Sequence, residues 1–305
     1  MKLNKKIVKI TIIAVLIGSI GLIYNLNRLS TLKEKNNLNT LNSTKELKTI
    51  AQKKALKPQQ INKEPINDNL KVKETVSKPL SNNELGNNKI PILMYHSISY
   101  EKGNTLRVSK ENFRNQMKYL KDNAYTTLTL DELYGYMKTD LKLPKKSIVI
   151  TFDDGYKDNY TNAYPILKEF KFKATVFVIT NAIDQDKNYL TTNEIKTMDL
   201  DNIQIESHTA KHDHLASISY MDNVKAMTTS KSKLEKILNR KITYIAYPYG
   251  EYNSNTIKAA KQSGYKLALS TEFGWIDKNN NIYSLGRIFV NSNYNLEKFK
   301  TKLNP

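Results

Sequence analysis

The chain has no cysteine, and its 305 residues include only four histidines, one tryptophan and ten glycines. Without thiols there is no disulfide scaffold, thiolate nucleophile, cysteine-based zinc knot or lipidated N-terminal cysteine. Any metal centre must be built from His, Asp or Glu. Aromatic residues are missing from residues 25–88: of 28 Phe, Trp and Tyr, 27 lie beyond residue 88. That stretch is rich in Asn, Lys, Thr, Ser and Gln and lacks sustained apolar periodicity, so it cannot bury enough surface to offset the entropy of ordering it. It reads as a polar, basic, disordered linker, with a short helix around Leu32–Leu56 as the competing reading. The composition step near Lys89 opens a domain over 89–305, long enough to bury a substantial core.

Long uncharged apolar runs are also scarce. The one candidate, Ile10 to Tyr24, follows Lys2, Lys5, Lys6 and Lys9. It falls short of the about 20 residues a bilayer span wants, but Ile7 and Val8 extend it and Lys9 can snorkel to the interface. Residues 1–24 are therefore expected to form an uncleaved signal-anchor. A cleaved signal peptide is the competitor, but its small-residue site at Ser19–Gly21 falls inside the apolar run. The basic flank stays inside, which puts the rest of the chain outside a single-pass anchor in the cell membrane, or in the medium if the segment is removed.

The net charge of +19 invites a nucleic-acid reading. Residues 1–88 hold 16 Lys and Arg against 6 Asp and Glu, so about half the excess belongs to the arm rather than to the domain. No basic run interleaved with aromatics is present, nor any helix-turn-helix, RNA-recognition or zinc-finger signature. The expectation is no nucleic-acid partner, but contact with acidic polymers or lipid head groups.

Beyond residue 88, β-like runs alternate with helical ones. "IPILMYH" (90–96), "SIVITFDD", "ATVFVI", "IQIESH", "TYIAYP", "KLALS" and "GRIFV" read as strands. "SKENFRNQMKYLKDN" reads as a helix capped by Ser109, with Phe113, Met117 and Leu120 on one face. Further helices are expected around "YTNAYPILKEF", Met221–Leu238 and "SNTIKAAKQSG". This alternation predicts an α/β fold, a distorted (β/α) barrel of about seven parallel strands, with an open doubly wound sheet as the alternative.

In such folds catalytic groups gather at the C-terminal ends of strands, and the scarce residues gather there too. "SIVITFDDG" ends in Asp153 and Asp154. Successive side chains on a strand alternate faces, so these two converge only if the backbone turns, which Gly155 permits; plain turn chemistry is the bland reading. "SHTAKHDHL" (207–215) holds three of the four histidines, with His208 and His212 spaced so that two imidazoles can converge on one cation. His96, the fourth, ends the first strand of the domain. Two carboxylates, a pair of imidazoles and a separate imidazole are the parts of metal-assisted hydrolysis.

"TFDDGY" (151–156), "SHTAKH" (207–212) and "YPYG" (247–250), in this order, resemble the first three motifs of the polysaccharide deacetylase family, the NodB-homology domains of carbohydrate esterase family 4. The resemblance covers nearly all of 89–305. Two departures accompany it: Ala246 stands where the third motif commonly opens with arginine, and "LGRIFV" (285–290) lacks the late histidine. Together with "PILMYHSI", these departures resemble the branch of biofilm poly-N-acetylglucosamine deacetylases, where a histidine near the domain's N-terminus takes over. His96 fits that position. The resemblance implies that Asp154, His208 and His212 bind one divalent metal ion, Zn²⁺ or another divalent transition metal. It implies that Asp153 takes a proton from the attacking water and that the Tyr249 backbone N–H holds the oxyanion. It also implies that His96, protonated, gives a proton to the leaving amine.

Trp275 and Tyr156 are candidates to line the sugar pocket, with core packing the alternative for Trp275, while His214 is expected to be solvent-facing or supporting. The implied partner is an extracellular polysaccharide, poly-β-1,6-N-acetylglucosamine foremost, with peptidoglycan or chitin oligomers as alternatives. A glycoside hydrolase would leave the paired histidines unexplained. A non-catalytic surface carbohydrate-binding protein is the alternative of another class.

Overall fold

The computed structural model describes residues 85–86 and 89–304. The anchor expected at 1–24 and nearly all of the linker expected at 25–88 lie outside these residues. Among the described residues no helix is long and apolar enough to cross a membrane. Pairing begins inside the stretch read as linker: Leu85–Gly86 (β1) lies antiparallel to Leu143–Pro144 (β4).

The other strands are Ile90–Tyr95 (β2), Thr126–Leu128 (β3), Ser147–Phe152 (β5), Ala174–Val178 (β6), Ile203–Ser207 (β7), Tyr244–Ala246 (β8), Leu267–Leu269 (β9), Trp275–Ile276 (β10) and Ile288–Phe289 (β11). They form one sheet in the order β10-β2-β5-β6-β7-β8-β9, with β3 added to β5 and β11 to β2; every pairing is parallel except that of β10. The sheet curls rather than staying open. Segment 285–289 reaches from one side to the other, bridging Leu269 through Leu285 and pairing Ile288 with Leu93.

The helices are Lys110–Asp122 (α1), Leu130–Lys138 (α2), Tyr164–Phe170 (α3), Thr192–Asp199 (α4), Tyr220–Leu238 (α5), Ser254–Gln262 (α6) and Leu296–Lys302 (α7). α1 starts where its sequence says it should, with the Ser109 side chain accepting from Asn112 N. It buries Phe113, Met117 and Leu120, each worth roughly 1.5–3 kcal/mol. That face, rather than intrinsic propensity, holds a 13-residue helix in water.

Period-two alternation divides the strands between two cores. Leu93, Tyr95, Ile148, Ile150, Phe152, Val176 and Ile205 belong to the outer core with the helices. Ile90, Ile92, Val149, Phe177, Tyr244 and Ala246 belong to the inner one, together with Leu130, Leu133 and Tyr136 of α2. Continuing the inner rows past the C-terminal ends of β2, β5 and β7 leads to His96, Asp153 and His208. The pleat alone thus directs three scarce side chains toward the mouth of the curl.

Candidate functional site

Asp153 and Asp154 follow β5, whose register is carried one step further by Asp153 N donating to Tyr95 O at 2.9 Å. On the pleat Asp154 would face outward. Instead its φ is +72°, followed by Gly155 at +77°, and this left-handed pair turns its carboxylate back. The turn thus starts one residue before the glycine expected to permit it. The loop after β7 behaves likewise: residues 208–214 are not helical, and Thr209 and His212 have φ of +65° and +63°. Left-handed loop residues, not a helical turn, bring the two imidazoles together.

The result is a compact donor set. Asp154 Oδ1 lies 3.4 Å from His208 Nε2 and 3.3 Å from His212 Nε2, and one ligand atom from each of the three residues falls within 4.8 Å of the others. His208 Nδ1 donates to Ala246 O at 2.8 Å, which fixes the ring so that Nε2 faces the carboxylate. Asp154 Oδ1 is buried and has no hydrogen-bond partner. A buried acceptor left over between two imidazole nitrogens is what a divalent cation would satisfy, and one oxygen with two nitrogens suits Zn²⁺ or a similar ion. Burial pushes the Asp154 carboxyl up, but the two imidazoles facing it outweigh burial and hold it well below the carboxylate range.

Asp153 is separate from this set. It is buried and gripped by Arg287, with Nη1 2.7 Å from Oδ1 and Nη2 2.6 Å from Oδ2. Arg287 has no exposed surface and also donates to Ser270 O and Thr151 Oγ1. Burial raises the Asp153 carboxyl, but the guanidinium charge overrides it and keeps it ionised. Arg287 is the functional residue that sequence reasoning missed. "LGRIFV" lacks the family's late histidine, and Ala246 stands where its third motif commonly has a guanidinium. The missing cation arrives from another strand, and with five arginines in the chain the buried "GR" before a strand was the available signal.

His96 follows β2 on the same inward row. Its loop is anchored by the turn after β5: Asn159 Nδ2 donates to His96 O at 2.8 Å, and Asp158 accepts from Ser97 Oγ and Ile98 N, both at 2.7 Å. The His96 Nδ1 is buried without a partner. Burial lowers the pKa of this imidazole, partly offset by the charges of Asp153 and Asp154.

Tyr249 sits in the turn after β8 with φ +59° and ψ 2°, its ring 4.4 Å from that of His212. Tyr156 stacks on Tyr189 at 5.2 Å, and both line a cavity of about 430 Å³ that opens beside Asp154 and His212 and is walled by Asn181, Gln185 and Lys211. Trp275 is not brought to the site. It pairs with Pro91 at the start of β2, five residues and about 16 Å of strand away from His96. There it packs against the outer core. A two-residue strand takes it to the far end of β2, so of the two readings of Trp275 it is core packing, not the sugar pocket, that its position fits.

The sequence model for "Polysaccharide deacetylase" matches residues 140–268. YxkH of Bacillus subtilis, named for the polysaccharide deacetylases, is 43% identical over 202 residues, covering 66% of this chain and 71% of that one. A poly-β-1,6-N-acetyl-D-glucosamine N-deacetylase of Staphylococcus aureus is 35% identical over 199 residues, covering 60% and 67%. The structure of the Streptococcus pyogenes deacetylase PplD in complex with acetate superposes with a TM-score of 0.69 at 34% identity, covering 72% of this chain and all of that one.

Proposed function

The chain belongs to the polysaccharide deacetylase family, whose members are hydrolytic N-deacetylases, and from that premise we propose that it removes acetyl groups from an extracellular polymer of N-acetylglucosamine, poly-β-1,6-N-acetylglucosamine foremost. The observation that carries the reading is the partnerless, buried Asp154 Oδ1 set between two imidazoles, beside a second carboxylate that takes no part in the set. A divalent cation held by Asp154, His208 and His212 would polarise the acetamide carbonyl and acidify the attacking water.

The chain's own groups then divide the work. Asp153, ionised against Arg287, takes a proton from water as the new C–O bond forms. The guanidinium fixes the carboxylate's direction and keeps it from swinging onto the cation. The Tyr249 backbone N–H, set by its left-handed turn, donates to the carbonyl oxygen as negative charge develops there. His96, protonated from solvent with the charges of Asp153 and Asp154 favouring the imidazolium, delivers that proton to the sugar nitrogen as the C–N bond breaks. Acetate and a free amine result.

The substrate assignment draws on the name of the Staphylococcus aureus relative and on the open, tyrosine-lined cavity beside the donor set, which leaves room for a continuing chain. The lysine-flanked apolar run at 1–24 supports display outside the cell on a membrane anchor. The test is acetate release from poly-β-1,6-N-acetylglucosamine, peptidoglycan glycan and chitin oligomers, each with and without a chelator. The reading expects acetate without new reducing ends, fastest on the first polymer and abolished by chelation. New reducing ends without acetate would overturn the activity, and a faster rate on another polymer would overturn the substrate.

A further inference from the structure

We infer that His214 and Glu251 clamp the turn that carries Tyr249, making His214 a positioning residue for hydrolysis; the inference rests on the reading of Tyr249 N–H as oxyanion donor. The turn needs holding. A tyrosine at φ +59° stands in the left-handed region, which is unfavourable for any residue with a side chain. The core does not supply this, because Tyr249 is 51% exposed. Backbone bonds from Gly250 N to Tyr247 O at 2.9 Å and from Glu251 N to Pro248 O at 3.1 Å close the turn, and one side-chain restraint lies on it: Thr271 Oγ1 donates to Tyr249 O at 3.2 Å. A Cβ on Gly250 would stand 2.0 Å from the same Oγ1, so the backbone is pressed against Thr271 on that side.

The other restraint lies above it. The His214 ring lies flat on the Tyr249 ring, with centroids 4.0 Å apart and planes within 4°. Its Nδ1 is 2.9 Å from Glu251 Oε2, so the same imidazole is tied to the turn two residues further on. Tyr249 meanwhile presents its ring to His212 at 4.4 Å and 67°. Three rings in series, His214 on Tyr249 on His212, thus join the oxyanion turn to the donor set. Both ends of the clamp are side chains more than two-fifths exposed. An exposed pair of this kind stabilises a fold by little, whereas stacked aromatic contact is comparable in size to the cost of one strained backbone residue. The arrangement is therefore too weak to matter for folding and strong enough to bias one turn.

The test uses the full chain and four variants, His214→Ala, His214→Phe, Glu251→Ala and the His214→Ala/Glu251→Ala pair. The measurements are kcat and KM for acetate release, affinity for zinc alone, and the ¹⁹F signal of fluorotyrosine at 249, assigned through Tyr249→Phe. His214→Ala is expected to lower kcat about tenfold with KM and zinc affinity within about twofold, as a slightly misplaced donor would. Phe, which keeps a flat ring over Tyr249, should recover most of the loss. The double variant should be no slower than His214→Ala, since both residues act through one turn.

An unchanged kcat in His214→Ala overturns the inference. So does a parallel loss of kcat and zinc affinity, which would make His214 a support of the donor set. If the unsubstituted chain releases no acetate, the deacetylase reading fails by itself. The ¹⁹F signal still decides the clamp: a shift in His214→Ala and Glu251→Ala supports it, and an unmoved signal overturns it.

Discussion

The inward row of β7 carries Glu206 and, one residue past the strand's end, His208, and their surroundings differ in one respect. Around Glu206 every acceptor is used: Oε1 accepts from Arg240 at 3.0 Å and Gln204 at 3.3 Å, and Oε2 accepts from the backbone N–H groups of Thr243 and Tyr244 at 2.9 and 2.8 Å. Around His208 an acceptor is left over, the buried Oδ1 of Asp154. A closed polar network stitches strands together, whereas one with an unfilled position inside the protein is arranged for something that arrives later. Two arginine pairs, one buried and one partly exposed, repeat the contrast. Arg287 spends its whole fork on Asp153 and holds that carboxyl down. Arg240 directs its fork to Asp199 and gives Glu206 a single nitrogen, so burial wins and pushes Glu206 up to about 7.

The comparison is broken most severely at the mouth. Asp153→Asn should lower kcat by roughly 10³-fold through loss of the base and destabilise the fold by about 3 kcal/mol, because Arg287 is left charged and unpaired in the interior. Acetate assays and urea unfolding check both. His96→Ala is expected to lose about 10²-fold in kcat with zinc affinity unchanged; near-full activity would misplace the acid. At the other end, Glu206→Ala should strand two backbone N–H groups and cost about 2–4 kcal/mol. The fraction that remains folded should turn over within about threefold of the parent.

The pH dependence of stability sharpens the same comparison by its sign. Glu206 in the folded chain keeps a proton that the unfolded chain releases at its ordinary pKa of 4.5. Its stabilising share is therefore full below 4.5 and is lost as pH rises through about 7. Asp153 runs the other way: its share is present above the ordinary carboxylate pKa and is lost as pH falls through its depressed folded value. Unfolding curves of Glu206→Gln from pH 4 to 8 should lack the decline toward neutrality expected of the parent. The smallest effect belongs to Trp275→Phe, at the far end of β2, where kcat and KM should each stay within about twofold; a large rise in KM would return the tryptophan to the sugar pocket.

Much of this was legible because strands alternate. The inward rows of β2, β5 and β7 end on His96, Asp153 and His208, and period two is written in the sequence. The cap at Ser109 and the apolar face of α1 were equally plain. α4 was not anticipated despite a capping box at Thr191 and Glu194, because "TTNEIKTMDL" has too few apolar residues to show a helical stripe. The positive φ values at Asp154, His212 and Tyr249 were hidden, since non-glycine residues adopt them only when tertiary contacts hold them there. Arg287 was hidden for a related reason: its partner is 134 positions away, and nothing local marks a buried guanidinium. Trp275 shows the converse error, a conspicuous residue assigned by type when its backbone pairing placed it elsewhere.

The central claim is that Asp154, His208 and His212 share one divalent cation on which acetate release depends. The most direct measurement is metal content per chain after exhaustive dialysis, for the parent and for Asp154→Ala, with acetate release followed through chelation and readdition of zinc. One ion per parent chain, none in the variant, and activity lost and restored with the metal is the predicted result. Full acetate release from parent chains free of metal would contradict it.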